Sequence, residues 1–596
     1  MGGSDSFAGG GGDRVPRGTR EAGRGCPSNR VYVLKDLSLV LPLVKKYRGE
    51  FFQGVVTLVL ASLCSATIPL LIKYAVDGLQ AGMRTRVFQI IGVTCALALL
   101  QAFLRYRSRI KILNGSREIE YELRKAFYTH LISLPYAFFK EQHRGDLIAR
   151  MMNDITNVRM MIGMCILHFS STVATMTLSF IMMLRLNVPI TLLSLMPLCF
   201  LFILIRGYMG KLQTIFKDVQ DTYGRLSKNA NEVLAGIRVV KNYLLQQEEQ
   251  DRFEKLNREY MEKNLASTRL WGMVFPSVGF LGGAGTLLVM WIGGYFLMNN
   301  KITLGDFIAL NAYYAMLMWP VVALAWIMNL YQRGLASLKR IEEVYQAPVE
   351  EESGVPIEHI EGNVEFGNVT LARGDRTILK QVSFTVSRGE KLLIIGPTGS
   401  GKTTILNLIL GLEQGYEGTI FIDGSDARLI PLAARRQHIA IVPQDPFLYS
   451  LSIRENIFTD EAAEGLIDAV HLKEEIDRFE TKLETVVGER GVMLSGGQKQ
   501  RLTLARALAV KPDILLLDDP FTHVDGYTEH MILEKIWPLI KDTTVIMTST
   551  RPVPAKYVDR VLVLAGGTVV DEGEPGELLA RSPYMKLLYE VKADRG

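Results

Sequence analysis

Two short stretches in the second half of the chain carry residue types at spacings that suit phosphate chemistry. The first is KLLIIGPTGSGKTT, residues 391–404, an apolar run and a glycine-rich turn that leads into a second apolar run, ILNLILGL. Gly396, Gly399 and Gly401 let the backbone amides curl around phosphate oxygens, and Pro397, Thr398, Ser400 and Thr404 complete the Walker A loop. A helix opening there adds its partial positive charge. Lys402 then reaches the β and γ phosphates, and Thr403 offers a hydroxyl to magnesium. The second stretch is ILLLDDPFTHVD, residues 514–525, in which four apolar residues of a buried strand run into Asp518 and Asp519. A run of this kind beside a nucleotide usually ends in Asp then Glu, so the second aspartate calls for an explanation.

The elements that must hold these residues divide the chain in two. At 596 residues it is too long for one compact domain. Residues 52–330 contain apolar runs long enough to cross a bilayer as helices, whereas residues 361–596 read as short strands alternating with charged helices. Six spans are expected at about 52–77, 87–106, 160–185, 188–208, 270–297 and 304–330. The long intervals after the second and fourth spans predict helices that continue into the cytosol. The expected organisation is a cytosolic tail at 1–30, a transmembrane domain at 31–340, a linker at 341–360 and a nucleotide-binding domain at 361–596.

A net charge of +5, from 67 basic and 62 acidic residues, gives no case for nucleic acid as a partner. Placement says more: Arg105, Arg107, Arg109 and Lys111 follow the second run, and Arg206, Lys211 and Lys217 follow the fourth, which puts those loops on the cytosolic side. Four of the five cysteines lie inside apolar runs and Cys26 lies in the tail, with no spacing that implies a disulfide or a metal knuckle. The first 30 residues lack the apolar core of a cleavable signal peptide and read as disordered. His168 is the one ionisable residue well inside a span, a functional candidate by default, although near a span end it reads first as a hydrogen-bond partner for a neighbouring helix. Methionines and aromatics crowd the third span (Met160, Met161, Met164, Met176, Met182 and Met183) and the sixth (Tyr313, Tyr314, Met316, Met318, Trp319 and Trp326). Most are expected to pack between helices or against lipid, and about a third to line a cavity able to take varied apolar guests.

Beyond the Walker loop, Gln444 in VPQDP ends another apolar strand, and LSGGQ at 494–498 opens the helix KQRLTLARAL. Walker A, a glutamine loop, LSGGQKQR and the Asp518 strand in this order resemble the ATPase domain of ABC transporters. FFKEQHRGDLIARMMND (138–154) and NEVLAGIRVVKNY (231–243) are similar to elements of the exporter type. The resemblance covers residues 34–590. It implies an α-helical membrane domain with six spans and long cytosolic extensions, followed by an α/β P-loop ATPase domain. It also implies ATP and Mg2+ as cofactors, with Thr403, Gln444 and Asp518 around the metal. Two such domains face head to tail, so Ser495, Gly496, Gly497 and Gln498 would meet the ATP held by the other chain, a second anion site at a helix N-terminus.

Three positions depart from that family pattern. Asp519 stands where a glutamate polarises the attacking water and is one methylene shorter. Thr550, in VIMTSTRP, stands where the family has its switch histidine. Arg373, in FGNVTLAR, stands where an aromatic stacks on adenine, though a guanidinium can also stack. All three lie on this chain's own Walker side while the signature is intact. The pattern resembles the degenerate-site subunit of a heterodimeric bacterial multidrug exporter in the inner cell membrane. The expected partners are a different half-transporter, membrane lipid and a hydrophobic small-molecule, lipid or peptide substrate. A homodimeric lipid or drug flippase and an ATP-gated regulator that transports nothing stay open as alternatives.

Overall fold

Each expected span falls inside one long helix: Arg48–Gln80, Arg84–Ile132, Ile155–Leu186, Val188–Ala235, Gln246–Met298 and Leu304–Tyr345. The computed structural model describes residues 39–350, 359–374, 376–458, 463–488, 491, 493–551 and 553–583. The expected tail at 1–30 with Cys26, and residues 351–358 of the expected linker, lie outside the described residues. Among the described residues five helices are long and apolar enough to cross a membrane, and the fourth in order contributes the apolar stretch Val188–Leu201. Helices of 49, 48 and 53 residues, the second, fourth and fifth, far exceed a bilayer. At about 1.5 Å per residue each is roughly 70–80 Å long, which accounts for the charged intervals between spans.

Local sequence sets where these helices begin. Asn187 accepts a hydrogen bond from Ile190 N at 3.1 Å, and a proline sits in the first turn of the fourth helix. Thr303 and Asp306 form a reciprocal capping box at the start of the sixth. The helices then bind one another through buried apolar groups. Tyr313, Met183, Ile190, Leu201, Val289 and Leu310 are fully buried, and Tyr313 Oη donates to Ala66 O at 2.6 Å, tying the sixth helix to the first. Below the apolar zone the link is polar: Asp154 accepts from Ser337 Oγ at 2.9 Å and from Arg340 Nε at 2.8 Å.

The chain forms two compact units. Among the described residues, one takes those up to Tyr128 with Ile148–Gln346, and the other takes Thr129–Leu147 with those from Ala347 on. The segment 129–147, read from sequence as part of the membrane half, thus groups with the ATPase half. The second unit has an antiparallel sheet of β1 (Val364–Arg373), β2 (Arg376–Val386), β4 (Glu417–Ile422) and β5 (Ser425–Asp426), in the order β2-β1-β4-β5. Its larger sheet runs β10-β9-β3-β8-β7-β6, from β3 (Lys391–Ile395), β6 (Ile439–Val442), β7 (Ile514–Asp518), β8 (Thr544–Ser549), β9 (Arg560–Ala565) and β10 (Thr568–Gly573). Neighbouring strands from β9 to β6 are parallel, and only β10 is antiparallel to its neighbour. Both faces of β3 are buried: Leu393 and Ile395 pack into one core, Leu392 and Ile394 into the other. This explains why its sequence is continuously apolar. Ile395 registers with Ser549, and Asp518 with Thr548, so the carboxyl ends of β3, β7 and β8 lie together, where ligands of open α/β sheets bind.

Candidate functional site

The Walker loop leaves the end of β3 and opens the helix Lys402–Leu410. Gly401 precedes that helix at φ 105°, and a Cβ there would lie 2.6 Å from Leu379 Cδ2. Gly396 is pressed against the carbonyl of Leu564 in β9, where a Cβ has no room. These two glycines therefore set the path that turns the helix N-terminus outward. Lys402 Nζ donates to the carbonyls of Gly396 at 2.8 Å and Pro397 at 3.0 Å, across the loop it serves. Burial pushes the Lys402 ammonium below its ordinary value, and the Asp519 and Asp518 carboxylates oppose that shift.

Asp518 ends β7 and is almost fully buried. Its Oδ1 accepts from Thr403 Oγ1 at 3.0 Å and from Thr548 Oγ1 at 2.7 Å. Burial raises its carboxyl above the usual range and the neighbouring Asp519 adds to the shift, against both hydroxyls and Lys402. Asp519 is held differently. Its backbone adopts φ 46°, a left-handed conformation unusual for a residue with a Cβ, and its amide donates to the carbonyl and the hydroxyl of Thr548, both at 3.1 Å. Its Oδ2 accepts from Thr550 Oγ1 at 3.3 Å. The two shortened positions thus meet each other.

A cavity of about 490 Å3 brings together Arg373, Thr398, Gly399, Gly401, Lys402, Thr403, Thr404, Gln444, Asp518, Asp519 and Thr550. Gly396, Pro397 and Ser400 are not part of that lining: the first two supply carbonyls to Lys402, and Ser400 is buried. The cavity does not include Ser495, Gly496, Gly497 or Gln498. These open the helix Gly496–Ala509, where Ser495 Oγ accepts from Gln498 N at 3.3 Å and Gln498 Oε1 from Ser495 N at 2.8 Å. The capping box leaves the other first-turn amides of that helix available to an anion.

Sequence reasoning missed two residues here. Thr548 fixes both Asp518 and the Asp519 backbone; it lies in β8 two residues before Thr550, which follows the strand, and that two-residue spacing is the signal that could have found it. Glu413 follows the Walker helix and carried no signal. Nearly buried, it receives ion pairs from Arg373 and from Lys140 of the short helix Tyr136–Glu141. Burial alone would raise the Glu413 carboxyl, but the two cations outweigh it and hold it below the ordinary carboxylate range. Arg373 therefore lines the cavity with its guanidinium drawn toward Glu413.

Residues 51–321 match the ABC transporter transmembrane region, and residues 379–522 match the ABC transporter family. Over 559 residues the chain is 32% identical to the Bacillus subtilis probable multidrug resistance ABC transporter ATP-binding/permease protein YheI, covering 92% of this chain and 96% of that one. It is 30% identical to the Escherichia coli multidrug resistance-like ATP-binding protein MdlA, over 91% of this chain and 94% of that one. The fold is that of a bacterial Atm1-family ABC exporter solved with ATP bound, with a TM-score of 0.77 at 23% identity over 93% of this chain and 99% of the other.

Proposed function

Because the chain belongs to the ABC transporter family, as an exporter-type half-transporter with one transmembrane and one ATPase domain, we propose that it is the degenerate-site subunit of a heterodimeric exporter. In this reading the chain sits in the inner cell membrane with its ATPase domain and both termini in the cytosol. It moves hydrophobic or amphipathic molecules outward by alternating access, in keeping with the multidrug names of its relatives. Its Walker side holds ATP and hydrolyses it slowly, while its LSGGQ completes the competent site of a different half-transporter.

The observation that carries this reading is the Asp519–Thr550 pair. A general base must reach the proton it removes, and Asp519 has a pinned backbone, a side chain one methylene short and an oxygen that already accepts from Thr550. Around the phosphates, the loop amides and Lys402 bind and orient the nucleotide. Thr403, Asp518 and Gln444 would hold magnesium, for which their hard oxygen donors are suited, and the ion when bound neutralises charge on the phosphates.

The two sites of the assembled pair should differ in what they contain during turnover. Photolabelling with azido-ATP carrying the label on either the α or the γ phosphate reads this directly. This chain is expected to retain most of its γ label relative to α, while the partner loses its γ label. Equal loss from both chains would sink the proposal.

A further inference from the structure

The membrane unit contains a second cavity, about 660 Å3, walled by the first, second, third and sixth long helices. Its polar lining includes Arg105, Arg109, His168, Ser171 and Thr175, and Trp319 stands among its apolar lining. The four basic residues after the second apolar run are not equivalent. Lys111 is paired with Glu50 at 3.0 Å. Arg105 and Arg109, four residues apart, lie on one face of their helix and both line the cavity, whereas Arg107 between them does not. Among the described residues neither arginine has a hydrogen-bond or ion-pair partner, and the cavity lining contains no carboxylate.

Two guanidinium groups one turn apart repel each other, and an anion bridging them relieves that repulsion. The third helix adds uncharged polar groups to the same lining. Ser171 and Thr175 are also four apart and offer hydroxyls, and His168 packs edge-on against Trp326 with ring centroids 4.9 Å apart. Trp319 is 74% exposed, giving a large ring with no packing partner around much of its surface. A wall with two forked donors at one place and aromatic surface at another fits a ligand with one anionic end and one apolar end.

We infer that this cavity binds an amphipathic anion, its carboxylate, sulfonate or phosphate head held by Arg105 and Arg109 and its apolar body against Trp319. The inference rests on the exporter reading and gives that reading a substrate class. A cationic amphiphile would meet two like charges in the same place.

The test uses the full chain with its partner subunit in nanodiscs of zwitterionic lipid, without nucleotide. Two fluorescent probes share one alkyl body, and one ends in a sulfonate, the other in trimethylammonium. Fluorescence anisotropy should show the sulfonate binding at least tenfold tighter. The double variant Arg105→Gln/Arg109→Gln should weaken sulfonate binding by about tenfold to a hundredfold, the effect of losing charge-assisted hydrogen bonds, and leave trimethylammonium binding unchanged or improved. Arg105→Lys/Arg109→Lys should recover much of the loss, and retained ATP binding reports that each variant is folded. If the natural anion is a lipid headgroup, adding phosphatidylglycerol will compete with the sulfonate; if it is a soluble amphiphile, it will not. Equal binding of the two probes, or an indifferent double glutamine variant, overturns the inference. Intact anion binding without ATP-driven uptake into inside-out vesicles would instead count against the exporter reading alone.

Discussion

Replacing Gly497 with valine in this chain lowers ATP hydrolysis by the assembled pair about 100-fold to 1,000-fold, the effect of losing one preorganised donor at a developing negative charge. The expectation follows from how tightly the signature helix is seated. A Cβ at position 497 would lie 2.7 Å from the carbonyl of His523, so any side chain there moves the first turn of Gly496–Ala509 and its amides. Removing the Ser495 hydroxyl is milder, because it deletes a cap worth about 1 kcal/mol while leaving the amides in place. Neither change touches the Walker cavity of the same chain, whose lining excludes these residues. ATP binding by this chain alone should therefore be normal in both variants, measured by equilibrium binding next to steady-state hydrolysis.

Purified without a partner, the chain should hydrolyse ATP at least about 100-fold more slowly than the pair. Two copies of this chain facing each other would supply two intact signatures but place Asp519 and Thr550 in both sites. A reacting group misplaced by about 1 Å costs on the order of a hundredfold. The structure gives no slack to recover it: the Asp519 amide is held twice by Thr548, its carbonyl accepts from Thr522 Oγ1 at 2.9 Å, and its side chain is engaged by Thr550. Rates measured at equal protein concentration and saturating ATP decide the matter. A lone chain as fast as the pair would favour the homodimeric flippase.

Much of this was legible in the sequence because phosphate binding is local. The Walker loop must place three glycines, a lysine and a hydroxyl within nine residues, and the structure gathers most of them in one cavity. Asp519 and Thr550 stood out because each follows a strand end whose neighbours leave no doubt about its place. Five of the six expected spans fall in helices long and apolar enough to cross a membrane among the described residues, and the expected long intervals were legible from length and charge.

What could not be read depends on which faces of helices and strands meet. Glu413 lies 40 residues from Arg373 and far from Lys140 in sequence, and only packing makes it their shared partner. Of the methionines and aromatics singled out on the third and sixth spans, Met316 and Trp319 line the second cavity. Met183, Tyr313 and Tyr314 are wholly buried between helices, because large side chains at those crossings are what fills the space. His168, read first as a helix partner, faces the cavity and also packs on Trp326. The basic run after the second span carried no sign of which of its residues face inward; helix pairing chose Arg105 and Arg109 for the cavity and gave Lys111 to Glu50.

The most direct test of the central claim is steady-state hydrolysis at saturating ATP by the pair carrying Asp519→Asn in this chain. If turnover runs through the other composite site, the variant keeps most of the unmodified pair's rate, within about a factor of two to three, far above the Gly497 variant. A loss comparable to that from Gly497→Val would mean that the short carboxylate is a working base and that this chain's own site is competent.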